Sequence, residues 1–390
     1  METNNRTITF IYSDSSEKQM FEIIGAEAIK RGYKIKYTTN KFAKCDIGFY
    51  CQHINHPENS KFSIIMLHDI TQQYLNWPDI WFNEPWNKYD IGFLPSLKWE
   101  KNWLESSEKF YTRPRIGCFI AGWPKADPYI ELDLNKQKEH YKKKFGLDLD
   151  KPTILYAPAW ENDNKEDDFV QSMLRLDVNV LIKQAPFDRK KYRKIVENIE
   201  KMEKQHKGID KVTILSRETN IIEAIIACDI LVSEESSTMS EAVMMGKPAV
   251  SVSNWLIPDT KPSRFPSSEY DFVTKTTKEN LTYTIDEMIK NYEYHVNRAV
   301  GFSKEYFGQK RNSSKTIMDI LDSVLKNGDS SMKLTPKSDV PPTKEELFAF
   351  KKVQKKRLFL DKFIFPNRFL TFLYKTLSNL KGLITREKKN

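Results

Sequence analysis

The 390-residue sequence predicts an α/β protein of two domains, each built on a parallel sheet, followed by a basic helical tail. Short runs of β-branched and aromatic residues alternate with helical stretches in two successive series, one before and one after residue 150. The formal net charge is +9, but residues 331–390 contain 15 Lys and Arg against 5 Asp and Glu. The basic character therefore belongs to the C-terminal tail rather than to the two domains.

The first series begins with a strand over Thr7–Tyr12 and an amphipathic helix over Glu17–Arg31 that stops at Gly32. Because strands and helices alternate, we expect βαβ units and a parallel sheet. The further strands predicted are Lys34–Thr38, Asp46–Tyr50, Ser63–Leu67 and Asp90–Leu94, and a charged helix is predicted over Leu134–Phe145. Residues 1–150 are assigned to an N-terminal Rossmann-like domain.

The second series is assigned to a second Rossmann-like domain over residues 151–327. Its predicted strands start at Thr153 and continue at Val178–Lys183, Val212–Ser216, Asp229–Ser233 and Pro248–Val252, with helices at Asn220–Cys228 and Thr238–Met245. Helices around Lys278–Asn291 and Glu305–Leu325 complete this domain or cross back to the first. Two such sheets in one chain face each other across a cleft, where ligands bind.

Several classes of protein are disfavoured by the sequence. The first residues lack a secretory signal, and no run approaches the roughly 18 apolar residues that span a bilayer, so we expect a cytoplasmic protein. Four scattered cysteines indicate reduced thiols, and no spaced ligands predict a metal or another cofactor. The acidic residues 161–168 are interpreted as a solvated loop, and His140, His206 and His295 as parts of solvated helix faces.

The strongest local motif is residues 229–250, in which a buried strand leads through a polar turn into a helix that closes at Gly246. Ser236, Ser237 and Thr238 stand where the helix opens. Backbone N–H groups and the helix dipole at such a start favour phosphate, and hydroxyl groups add hydrogen bonds. The alternative is that the serines only cap the helix.

Five segments in order resemble the CDP-glycerol glycerophosphotransferases, which are teichoic acid primases and polymerases. They are IIMLHD at 64–69, YDIGFLPS at 89–96, FIAGWPKAD at 119–127, TILYAPAWE at 153–161 and SEESSTMSEAVMMGKPAV at 233–250. The resemblance implies a GT-B fold and the transfer of glycerol phosphate from CDP-glycerol to a hydroxyl of a membrane-linked polymer. The first domain would then bind the acceptor and the second the nucleotide donor.

The resemblance also implies roles for single residues. Ser236, Ser237 and Thr238 would hold the donor's diphosphate, and Glu234 stands where the family has aspartate. His68 matches a histidine of the first domain and becomes the candidate general base, a task that suits an imidazole. Its alternative is a structural histidine at the end of a strand.

Two cations complete the candidate donor site. Lys183 and Arg217 would neutralise phosphate charge. The sequence departs from the family nearby, because Ala185 replaces a histidine and Glu161 an arginine. Two other functions therefore stay open: a glycosyltransferase that uses a nucleotide sugar, and a non-catalytic scaffold that binds nucleotide or polymer.

The C-terminal tail is predicted as a membrane-associating element. Residues 328–342 form a linker, and residues 343–390 form a helical tail that starts with the capping-box pattern Thr343-x-x-Glu346. Lysines interleaved with phenylalanines and leucines favour the surface of an anionic membrane. A protein partner and a nucleic acid are the alternatives, of which nucleic acid is the least favoured. We expect a peripheral protein on the inner face of the cell membrane.

Overall fold

The computed structural model describes residues 6–52, 55–67, 70, 81, 85–130, 132–190, 192–257, 272–308, 312–367, 369–374, 376 and 377. Within these ranges the chain forms two six-stranded sheets in which every strand pair is parallel. The α/β fold class expected from the alternating pattern is confirmed.

The first sheet has the strand order β2-β1-β3-β4-β5-β6. Its strands are Thr7–Ile11 (β1), Lys34–Thr38 (β2), Cys45–Tyr50 (β3), Ser60–Ile65 (β4), Ile91–Leu94 (β5) and Gly117–Ile120 (β6). Among the described residues, three helices fall within or follow this series: Ser15–Lys30 (α1), Leu97–Ser106 (α2) and Leu134–Lys144 (α3). All four residues of β5 are buried, because helices cover both faces of a parallel sheet.

The second sheet has the strand order β12-β11-β10-β7-β8-β9. Its strands are Thr153–Tyr156 (β7), Asn179–Ile182 (β8), Val212–Ile214 (β9), Ile230–Ser233 (β10), Ala249–Val252 (β11) and Thr274–Thr276 (β12). The helices that follow are Lys165–Met173 (α4), Arg193–His206 (α5), Ile221–Ala227 (α6), Thr238–Met244 (α7), Leu281–Lys290 (α8), Tyr292–Phe302 (α9), Ser313–Asn327 (α10) and Lys344–Phe359 (α11).

Two sequence interpretations of polar segments are wrong. The acidic stretch 161–168 is not simply a solvated loop, because it leads into α4 and because Glu161, Lys165 and Glu166 are buried. His206 does not lie on a solvated helix face. It is completely buried at the end of α5, where its imidazole contacts Glu166 at 2.9 Å and Asp167 at 3.0 Å. A charged helix face is buried when carboxylates of a neighbouring helix satisfy its charges.

The two halves of the chain exchange helices. Helix α3 packs against α6 of the second half, where Lys144 Nζ lies 2.7 Å from Glu223 Oε2. Helix α10 returns to the first half and packs on α1, where Arg31 pairs with Asp322 at 2.9 Å. Asp127 accepts hydrogen bonds from two N–H groups at the start of α10. The sheets are therefore held together by helices at their ends as well as by the connecting chain.

The segment predicted as a linker lies along the edge of the first sheet. Lys333 forms an antiparallel bridge with Phe119 of β6, and Leu334 N donates to Cys118 O at 2.9 Å. Arg113 donates to the carbonyl oxygens of Ser338 and Val340 at 2.8 and 2.9 Å. This segment covers the edge strand and carries the tail helix to the first half of the molecule.

The tail helix starts where the sequence predicts. Thr343 and Glu346 form a reciprocal capping box at the first turn of α11. On one face, Phe350 is buried and meets the ring of Phe110 at 5.4 Å between centroids. Large apolar side chains elsewhere in the tail are exposed: Phe348, Phe359, Phe363, Phe365, Phe369, Leu370, Phe372, Leu373 and Leu377. Among the described residues, no helix is both long and apolar enough to span a bilayer.

A histidine joins the tail to the first half of the molecule. His56 Nδ1 lies 3.2 Å from Glu58 Oε1, and its Nε2 lies 3.5 Å from Asp361 Oδ2, just beyond α11. Burial lowers the pKa of His56, but the contacts with Asp361 and Glu58 outweigh burial and raise the pKa above its ordinary value. On the tail side, Arg357 lies 3.7 Å from Asp361.

We expect the tail to dock less firmly as the pH rises from 6 to 8. A histidine whose pKa is raised in the folded state stabilises that state below its ordinary pKa, and this stabilisation is lost as the pH passes the raised value. Hydrogen exchange of the α11 amides should therefore speed up between pH 6 and 8, after correction for intrinsic exchange. His56→Gln should abolish the change, and His295→Gln on α9 should not. Equal protection of α11 at both pH values would contradict this role of His56.

Candidate active site

The second sheet changes its winding direction between β7 and β10. Strands β8 and β9 lie on one side of β7, whereas β10, β11 and β12 lie on the other. In open α/β sheets, ligands bind outside the carboxyl ends of the strands at such a switch point. The segments that leave these two strands are residues 157–160 and 234–238, both of which the sequence motifs had singled out.

Glu234 ties these two segments together. Its carboxylate accepts hydrogen bonds from the backbone N–H groups of Ala159 and Trp160 at 3.1 Å and from Ser233 Oγ at 2.8 Å. It also pairs with Lys165 Nζ at 3.2 Å, and both side chains are almost completely buried. The oxygens of Glu234 are thus engaged with the protein, so this residue shapes the switch point by holding the loop after β7.

The three hydroxyl residues after Glu234 have different surroundings. Ser236 is buried, and its Oγ accepts from Thr238 N at 3.3 Å. Thr238 Oγ1 donates to Ala157 O at 3.1 Å, which joins the start of α7 to the end of β7. Ser237 is half-buried at the N-cap of α7, and its side chain makes no capping hydrogen bond. The side chain of Ser236 is therefore engaged with the turn itself, whereas Ser237 occupies the N-cap position without a capping hydrogen bond.

Lys183 lies at the end of β8 and is almost completely buried. Its ammonium donates to the carbonyl oxygens of Gln184 and Arg217, both at 2.8 Å. Burial lowers the pKa of Lys183 to about 8, because water is removed from the charged form. The lysine joins the loops after β8 and β9 and places a positive charge beside the switch point.

The guanidinium of Arg217 is paired within the second half of the molecule. It forms two hydrogen bonds with the carboxylate of Glu203 on α5, at 2.9 and 2.6 Å. This pairing raises the pKa of Arg217 above its ordinary value. In the described structure, Arg217 contributes its backbone carbonyl to Lys183, while its charge is balanced by α5.

The first half of the molecule reaches the site through a lysine that the sequence analysis did not select. Lys125 Nζ lies 3.3 Å from Glu241 Oε1 on α7, with side chains only 11% and 4% exposed. Gln19 Nε2 on α1 also crosses to the second half and donates to Glu218 O at 3.4 Å. The signal for Lys125 was its place in the FIAGWPKAD motif. His68, the candidate base, lies outside the described residues.

Behind the site lies a buried polar network. Glu161 Oε2 accepts from Tyr156 Oη at 2.8 Å and from Gln184 Nε2 at 3.1 Å. Gln184 also donates to Glu166, which contacts His206. Burial raises the pKa of Glu161 to about 7, although the hydrogen bonds from Tyr156 and Gln184 oppose this rise. Glu161 therefore stands at the position of the family's arginine and stabilises the loop that contains Lys183 through its hydrogen bond with Gln184.

The half-buried Ala185 follows this network in the chain, at the position of the family's histidine. Its methyl side chain provides no proton donor or acceptor. Next to it, the rings of Trp160, Phe187 and Tyr192 pack together with centroid distances of 5.3 to 5.6 Å. The groups of this region that could bind a phosphate are therefore backbone N–H groups, hydroxyls and lysines. Among the described residues, no group of three or more His, Cys, Asp and Glu could hold a metal ion.

Residues 103–256 match the sequence profile of the CDP-glycerol:poly(glycerophosphate) glycerophosphotransferase family. This segment is similar to the proteins of that family. It contains Lys125, the loop after β7, Lys183 and the whole of α7, so the match covers both sides of the switch point. No curated protein sequence matches the chain.

Solved structures agree with this assignment at the level of the fold. The wall teichoic acid polymerase TagF superposes with a TM-score of 0.57 at 14% identity, covering 83% of this chain and 89% of the TagF chain. A TagF variant soaked with CDPG for 30 minutes gives a TM-score of 0.56 at 15% identity, with coverages of 83% and 89%. The resemblance drawn from the motifs is confirmed over residues 103–256, and the expected GT-B architecture is confirmed at the level of the fold.

Proposed function

We propose that the chain moves a polyol phosphate, such as glycerol phosphate, from a CDP-activated donor to a hydroxyl of a membrane-linked cell-surface polymer. The family match carries this proposal, because it spans the switch point and the first-half segment that reaches it. The donor's diphosphate lies at the turn after Glu234. Ser236, Ser237 and Thr238 line that turn, and preorganised donors of this kind stabilise phosphate charge.

In the proposed reaction, the acceptor oxygen attacks the phosphorus that carries the glycerol. A new phosphorus–oxygen bond forms, the bond to the bridging oxygen of the diphosphate breaks, and CMP leaves. The hydroxyl proton passes to His68, and the buried charges of Lys183 and Lys125 favour the leaving phosphate. Arg217 adds positive charge at a greater distance, since Glu203 holds its guanidinium. This scheme requires no metal ion.

The donor is tested by product analysis with CDP-glycerol, CDP-ribitol and UDP-sugars in parallel. We expect release of CMP and a polyol phosphate on the acceptor, and loss of turnover in His68→Ala. Sugar transfer from a UDP-sugar would identify a glycosyltransferase instead. Binding of CDP by calorimetry without turnover of any donor would identify a non-catalytic scaffold, a function that Ala185 keeps open.

We also propose that the tail holds the protein on the anionic inner face of the cell membrane. Its lysines and exposed phenylalanines support this role, since each Lys near such a surface contributes about 1 kcal/mol. Removal of residues 343–390 should release the protein from anionic vesicles at moderate salt. Phe348→Ser should weaken pelleting, whereas Tyr283→Ser on α8 should not, although the two side chains are 71% and 70% exposed. Undiminished pelleting of the truncated chain would disprove the anchor.

A further inference from the structure

A cavity lies apart from the switch point, between the tail helix and the first sheet. Its volume is about 340 Å³, within the usual range of small-molecule sites. The apolar part of its lining comes from both sides. These residues are Ile65, Pro85, Trp86 and Tyr89 from the first half and Phe350 and Leu358 from the tail. The cavity exists only because α11 docks on the first half of the molecule.

The polar lining of the cavity is predominantly positive. Of the residues that the structure describes there, five are cations (Lys88, Arg115, Lys351, Lys355 and Arg357) and two are carboxylates (Glu58 and Asp361). Both carboxylates already contact His56. Lys351 and Lys355 are exposed on α11, at the mouth of the cavity. An apolar slot with a cationic mouth fits a hydrocarbon chain that carries a phosphate.

The two faces of α11 indicate that the source of this ligand is a membrane. Phe350, Gln354, Arg357 and Asp361 recur at helical spacing and line the cavity or its mouth. Phe348, Lys352 and Phe359 lie on the opposite face and are exposed, with Phe363 one turn further on. A helix that lies on a bilayer through its outer face would place the mouth of the cavity at the level of lipid phosphates.

We propose that this cavity binds one acyl chain of an anionic membrane phospholipid, with the lipid phosphate held by Lys351 and Lys355. The lipid fills the space between α11 and the first half of the molecule and so strengthens the docking of the tail. This inference uses the membrane attachment proposed above, but it is independent of the donor and of the reaction.

The full-length protein, stripped of lipid, is incubated with vesicles of phosphatidylglycerol or phosphatidylcholine, recovered, and assayed for bound lipid by native mass spectrometry. We expect about one phosphatidylglycerol per chain and little phosphatidylcholine. Lys351→Glu should reduce the amount of bound phosphatidylglycerol roughly tenfold. A negative charge beside the lipid phosphate weakens binding more than removal of the positive charge alone. Lys352→Glu, the same change on the outer face, should retain the lipid.

Two further variants distinguish lipid binding in the cavity from attachment of the outer helix face to the membrane. Leu358→Trp should fill the cavity and abolish retention, while Phe363→Ser should pellet less with vesicles yet retain its lipid. Equal retention by the Lys351→Glu and Lys352→Glu variants, equal binding of both phospholipids, or displacement of phosphatidylglycerol by a polyprenyl phosphate would each overturn the proposal. Turnover of CDP-glycerol is measured separately on the same samples, so a failure of the lipid site is distinguishable from a failure of the transferase assignment.

Discussion

Glu234→Ala is expected to destabilise the second half of the molecule by about 3–5 kcal/mol, the usual cost of removing one partner from a buried ion pair. The substitution leaves the ammonium of Lys165, only 1% exposed, without its carboxylate. It also removes the acceptor for the N–H groups of Ala159 and Trp160. Urea unfolding, followed by the fluorescence of tryptophans, measures the loss.

A matched pair of variants separates charge from shape. Glu234→Gln keeps an acceptor oxygen for the loop but leaves the charge of Lys165 without a carboxylate, so it should be less stable than the double variant Glu234→Gln, Lys165→Met. The double variant should recover most of the stability. Its donor turnover should fall less than that of Glu234→Ala, since the loop after β7 keeps an acceptor. Additive effects of the two substitutions would show that this pair does not organise the switch point.

Lys183→Met is expected to lower kcat/KM for the donor by roughly 10- to 100-fold, the range for loss of one charge-assisted interaction. The protein should remain folded, because methionine fills the space of the buried alkyl chain and removes an ammonium that only two carbonyl oxygens satisfy. The stability of the variant should therefore rise while its kcat/KM for the donor falls. Lys278→Met is the control for loss of a lysine elsewhere. Lys278 is partly exposed and pairs with Asp168, away from the switch point.

The pH dependence of donor binding tests the same residue. Since burial lowers the pKa of Lys183 to about 8, the free protein loses this positive charge above pH 8. The affinity for the diphosphate should be constant from pH 6 to 7.5 and should fall as the pH rises through 8 to 9. Lys183→Arg should keep its affinity across this range, because a guanidinium stays protonated. A wild-type profile that is flat to pH 9.5 would exclude Lys183 from the donor site.

The sequence predicted most of the strands and missed two short ones at sheet edges, β6 and β12. Residues of β2 were predicted with their observed bounds, and the capping box of α11 was located at Thr343. Strand β6 was missed because Gly117–Ile120 is only four residues long and runs into a segment with Gly and Pro. Helix α4 was missed because its acidic first turn resembles a solvated loop. Its burial depends on the pairing of Lys165 with Glu234, which is distant in the sequence.

The candidate site was predicted only in part, because some of its contacts join residues that are far apart in the sequence. Hydroxyl and lysine positions at strand ends are local signals, so the turn at Ser236 and the buried strand end at Lys183 could be selected from the sequence. The function of Glu234 as a clamp on residues 159 and 160 depends on contacts 75 residues apart in the chain, which no local pattern contains. The pairing of Lys125 with Glu241 spans 116 residues and is visible only when both sheets are in place.

A crystal structure of the protein with CDP-glycerol or CDP is the most direct test of the donor site. We expect the diphosphate at the carboxyl ends of β7 and β10, with a phosphate oxygen within hydrogen-bonding distance of Ser237 and the charge of Lys183 close by. A nucleotide bound away from this switch point, or a turn at Ser236 that stays closed against the core while the donor is consumed, would contradict the account.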